Sequence, residues 1–149
     1  MRDTTTATVP LSGGRIWFLA DALVTGANAI AYLALGHILP GLLGATSTLF
    51  FTAGLLLAVV TVGLLIAARS LKRPMFLPTL LATINAVWAA ASLFIAAANP
   101  FGLTVVGVVW TVAQGVVVLA FAILQFRALK RSADALGGHG RARQARSHG

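Results

Sequence analysis

Asp21, Thr25, Asn28 and Tyr32 recur at i, i+4, i+7 and i+11 in an otherwise apolar stretch, so a helix carries all four on one face. Asn85, Trp88 and Ser92 form a second such face, and Trp110 with Gln114 a third. An acid, a few amides and hydroxyls, and indole walls can hold a small amphipathic molecule, because ligand pockets combine apolar lining with a few convergent polar groups. They do not by themselves form a catalytic set. One carboxylate and scattered amides supply no acid and base pair and no activated nucleophile. The same groups have a structural use: buried amides and hydroxyls hydrogen-bond across packed helices, at about 0.6 to 2 kcal/mol each. The sequence alone favours that structural use over a pocket or pathway.

The elements that carry these side chains are four apolar runs, Ile16 to Leu39, Leu49 to Ala68, Met75 to Ala98 and Leu103 to Phe126, and Asp21 is their single ionised residue. Runs of roughly 20 residues at 1.5 Å each cover the roughly 30 Å hydrocarbon layer of a bilayer. The expected fold is therefore all-α, a transmembrane four-helix up-down bundle. Its polar faces must turn inward, since an unpartnered amide or hydroxyl in lipid costs several kcal/mol. Asn28, Asn85 and Gln114 each lie about ten to twelve residues into a span, near the midplane. If they converge, Tyr32, Trp88 and Trp110 wall the cluster on its outer side. Asp21 is shallower, roughly 7 to 8 Å from the start of its run. At that depth Arg69 and Arg127 are candidate salt-bridge partners, and the amino-terminal half of the helix favours a negative charge.

Composition agrees with a lipid-embedded chain: of 149 residues 58% are hydrophobic and 9% charged, with a mean hydropathy of +0.92. The formal charge of +8 comes from bases that cluster just outside the apolar runs, where they meet lipid headgroups, so no nucleic acid is expected as a partner. With no cysteine, thiol chemistry is excluded, and His37, His139 and His148 have no ligand spacing, so neither metal nor cofactor is expected. The first run is too long for a signal-peptide core and carries Asp21, so it reads as a retained span.

Three domains of unequal weight follow: a flexible segment over residues 1–14, a four-span unit over 15–131, and a disordered basic tail over 132–149. Lys and Arg lie at the amino end, in the connection from Arg69 to Arg73 and after Phe126, and are absent from the other two connections. The positive-inside rule then puts both termini in the cytoplasm. Asn28-Ala29-Ile30 returns as Asn85-Ala86-Val87, and Arg69, Leu71, Lys72 and Arg73 return as Arg127, Leu129, Lys130 and Arg131. Such offsets of 57 and 58 residues, with the same sense in the membrane, predict two helical hairpins in parallel repeat. Small residues four apart, such as Gly107, Thr111 and Gly115, allow close helix contact within the unit or across a homodimer.

The stretch from Asp21 to Ala29, Asp-Ala-Leu-Val-Thr-Gly-Ala-Asn-Ala, resembles the first helix of small four-span integral membrane proteins of GC-rich bacteria. The resemblance covers residues 15 to 131 and implies a bacterial inner-membrane protein; that group has no assigned activity. Small multidrug exporters carry a deep Glu in the first helix, which this chain lacks, and quinone-linked disulfide enzymes need cysteines. The filter motifs of fluoride channels are missing too. The functional expectation is a noncatalytic membrane protein that binds lipid, a membrane-protein partner or a second copy of itself. A small-molecule carrier using the amide cluster, with Asp21 as its gate, is the alternative, and an intramembrane lipid enzyme has the least support. The absence of cysteine makes the topology directly testable: Ser70→Cys should react with a membrane-impermeant maleimide only in opened cells, and Gly41→Cys in intact ones. The reverse pattern would refute the assigned orientation.

Overall fold

The computed structural model describes residues 14–69 and 76–147, with residues 135–147 described as backbone only. Its elements are α1 Arg15–Leu35, α2 Leu39–Leu43, α3 Ser47–Arg69, α4 Phe76–Ala98 and α5 Val105–Ser147. The four long helices are each apolar and long enough to cross a bilayer. Their outward faces are large hydrocarbon side chains, with Leu23, Ile30, Phe76 and Val105 all at least 70% exposed. Lipid is the solvent that such a surface fits. The chain is a multi-pass membrane protein with the up-down bundle expected.

Helix α1 packs along α3, and α4 along α5, while α3 meets α4 and α1 meets α5 less extensively. Two tight hairpins thus lie against each other along a looser seam. Glycine explains the tightness inside each. Gly54 in α3 faces Leu33 and Tyr32 of α1, where an added Cβ would stand 2.9 Å from Leu33 Cγ, and Gly115 in α5 faces Ser92 of α4, where it would stand 3.2 Å from Ser92 Cβ, so both helix pairs approach closely. The end of the bundle at Arg15, Arg69 and Arg127, its inner end, is filled by Phe18, Leu64, Leu81 and Leu129 among small alanines, and the opposite or outer end by Tyr32, Leu43, Phe50 and Leu57. Tyr32 and Phe50 meet edge to face at 5.4 Å between centroids.

The pattern of buried positions recurs between α1 and α4 in a different register from the one read in sequence. Buried Phe18, Asp21, Ala22, Thr25, Ala29 and Tyr32 in α1 correspond to buried Pro78, Leu81, Ala82, Asn85, Ala89 and Ser92 in α4, sixty residues on. Gly54 and Gly115 pair at nearly the same offset. Asn85 is therefore the counterpart of Thr25 and not of Asn28. A slip of three residues is close to one helical turn and keeps the same face inward, which is why side-chain type alone misregisters it.

Two outer connections, free of Lys and Arg, are laced together. The Thr104 amide donates to the Leu43 carbonyl (3.0 Å), and its hydroxyl donates to the Leu42 carbonyl (2.7 Å) while accepting from Gly107 to cap α5 (3.1 Å). Asn99 takes a left-handed φ of 44° and clasps Leu103 through both amide atoms, at 2.6 and 3.1 Å, which gives the tight turn that Asn-Pro signals. Helix α5 continues to Ser147, through most of the tail over residues 132–149 for which the sequence suggests disorder. The span has already met the cost of nucleation, and Ala, Leu, Arg and Gln in the extension favour elongation. The lead-in over residues 1–13 and the basic turn over 70–75 lie outside the described residues.

Gly107 lets α5 approach the first outer connection, because a Cβ there would collide with the Leu43 carbonyl, whereas a Cβ at Gly41 meets nothing within 4 Å. Gly107→Ala should cost about 1 to 3 kcal/mol through backbone displacement, and Gly41→Ala should cost nothing. Thermal unfolding of both in one detergent checks the contrast; equal melting temperatures would contradict it.

Candidate functional site

The inner half of the seam is closed by a polar knot. Asp21 Oδ2 accepts from Asn85 Nδ2 (2.5 Å) and Gln125 Nε2 (2.7 Å), and Oδ1 accepts from the Thr25 hydroxyl (2.9 Å). Asn85 Nδ2 also donates to Gln125 Oε1 at 3.1 Å. All four side chains are buried, Asp21 and Gln125 completely. Both carboxyl oxygens are engaged by neutral side chains. Placing a carboxylate inside a span costs roughly 2.5 to 3.5 kcal/mol on insertion scales. Hydrogen bonds to a charged group return about 1.5 to 3 kcal/mol each. Three of them offset the cost, and two, at the low end of that range, would only match it.

Arg69 and Arg127 are exposed, and among the described residues neither forms an ion pair with Asp21. The partners are amides from α4 and α5 in place of the expected guanidiniums. A neutral amide already on the buried face needs no desolvation of a second charge, whereas Arg at a span end keeps its head in water. Gln125 was not among the residues singled out from the sequence. Its signal was there: it follows Gln114 by eleven residues, hence on the same face of α5.

Tyr32 lies eleven residues beyond Asp21, roughly 16 Å farther along α1. Its hydroxyl accepts from Trp110 Nε1 at 2.9 Å and from Gln114 Nε2. This second knot ties α1 to α5 in the outer half. The three amides expected to meet are thus distributed: Asn85 serves Asp21, Gln114 serves Tyr32, and Asn28 makes no side-chain hydrogen bond among the described residues.

Between and above the knots the seam is hollow. An outer cavity of about 130 Å³ lies under the connections, lined by Tyr32, Phe50, Trp88, Ser92, Trp110 and Gln114 among others. A middle cavity of about 190 Å³ shares Trp88, Trp110 and Gln114 with it and reaches Thr25 and Asn28. A third, of about 20 Å³, sits between the middle cavity and Asn85. Trp88 on α4 and Trp110 on α5 line both of the larger cavities. The arrangement can bind and orient a small molecule, and it holds no nucleophile beside a base. No known family, curated protein or solved structure matches the chain.

Replacing Tyr32 by Phe leaves the Trp110 and Gln114 donors without their acceptor while keeping the ring contact with Phe50. Tyr32→Phe should lower stability by about 1 to 3 kcal/mol, measured by unfolding in bicelles; an unchanged value would show that the outer knot does not hold α1 to α5.

Proposed function

We propose that the chain is a noncatalytic protein of the bacterial inner membrane, both termini cytoplasmic, that binds an amphipathic lipid or lipid-like molecule in the seam between its hairpins. The observation that carries this reading is the pair of connected cavities walled by Trp88, Trp110 and Gln114, with the unspent amide of Asn28 on the wall of the larger one. Pure interhelical bonding accounts for Asp21, Thr25, Asn85 and Gln125, which satisfy one another, and leaves Asn28 unexplained. Orientation rests on the basic residues at Arg69 to Arg73 and beyond Phe126.

A carrier is the second reading. It is favoured by the succession of cavities from the outer connections down to Thr25 and Asn85, both bonded to Asp21. Flux in proteoliposomes that falls on Asp21→Asn substitution would select it over simple binding.

The binding reading predicts that protein purified in a mild detergent carries a lipid-class molecule, detected by native mass spectrometry. Filling the middle cavity with Ala113→Trp should remove at least nine-tenths of it at unchanged helical content. Wild-type protein that binds nothing, with or without added membrane extract, would refute the reading.

A further inference from the structure

Granted that the seam binds a lipid, we propose that its ligand is an uncharged amphipath with a hydroxyl or carbonyl head and one chain. The head is held at Asn28 and Gln114 in the middle cavity, and the chain leaves sideways between α1 and α5 into the bilayer.

The chemistry of the walls sets the head group. Every side chain lining the outer and middle cavities is neutral. A phosphate or carboxylate entering there would lose its water and counter-ions and meet no Lys, Arg or His in return, which is prohibitive at this depth. A hydroxyl or carbonyl has a modest demand that the site meets. Asn28 makes no hydrogen bond of its own among the described residues, so its amide offers donors and an acceptor to the cavity. Gln114 spends Nε2 on Tyr32 and keeps Oε1 as a second acceptor. Trp88 and Trp110 present ring surface to the first carbons of the ligand.

The shape of the cavity sets the chain. Its volume of about 190 Å³ exceeds the roughly 150 Å³ of an apolar cavity that accepts benzene. That suits a small head with the start of one chain. At its rim stand Val24 on α1 and Val117 on α5, 37% and 43% exposed toward the lipid side. The two helices meet sparsely, whereas each is packed closely on its hairpin partner. A ligand therefore enters from the membrane and not through the laced outer connections.

Two probes with the same tail separate the head groups: geranylgeraniol and geranylgeranyl phosphate, titrated against the full chain in nanodiscs, with tryptophan fluorescence and native mass spectrometry as readouts. The alcohol should bind at least about ten-fold more tightly than the phosphate. Asn28→Leu, which removes an amide that no protein group uses and so spares the fold, should weaken the alcohol about three- to ten-fold, the equivalent of one neutral hydrogen bond. Val117→Trp should block the lateral port and abolish binding. Tighter binding of the phosphate, or full affinity in Asn28→Leu, would overturn the inference while leaving a lipid-binding seam in place. If neither probe nor any endogenous lipid binds, both fall.

Discussion

A buried carboxylate that forms no ion pair among the described residues is the constraint on which this structure turns. Asp21 sits at zero exposure in the inner part of α1, and three neutral donors make that position tenable: Thr25 on its own helix, Asn85 on α4 and Gln125 on α5. Each comes at a short, directed distance, so the carboxylate specifies where two other helices stand. Hydrophobic burial cannot do this inside a bilayer, because lipid tails are as apolar as leucine and give no preference for one helix contact over another. Polar satisfaction and close packing of small residues are what remain to fix the arrangement.

Close packing on glycine operates inside the hairpins, at Gly54 against Leu33 and at Gly115 against Ser92, and also between them, at Gly63 against Leu81 and at Gly107 against Leu43. Polar bonding operates across the seam, at the Asp21 knot near the inner end and the Tyr32 knot farther out. Between these ties lie the cavities, walled in part by Trp88 and Trp110. A hollow of this kind costs packing energy, and its walls carry an amide that no protein group uses. That combination is what a ligand would repay, and it is why the seam, and not the hairpins, is read as functional.

Much of this could be read from residue types. Four runs of apolar residues dictate four spans, and Asp21, Thr25 and Tyr32 at helical spacing dictate an inward face, which is where all three are buried. Side-chain type is blind to which inward groups meet. Asn28, Asn85 and Gln114 are alike in kind and depth, yet Asn85 serves Asp21, Gln114 serves Tyr32 and Asn28 bonds to no side chain among the described residues. The preference of Asp21 for amides over Arg69 and Arg127 was equally hidden, as it depends on which neighbour is already desolvated. The extension of α5 to Ser147 was masked by glycines at 137, 138 and 140, whose local preference yields to a helix begun inside the membrane.

The central claim, that the Asp21 carboxylate joins the two hairpins, is most directly tested by a double-mutant cycle. Unfolding free energies in bicelles would be measured for wild type, Asp21→Leu, Gln125→Leu and the double variant. A coupling of about 1 kcal/mol or more, with the double variant less destabilised than the sum of the single ones, is the predicted result. Additive effects, with coupling near zero, would contradict the account.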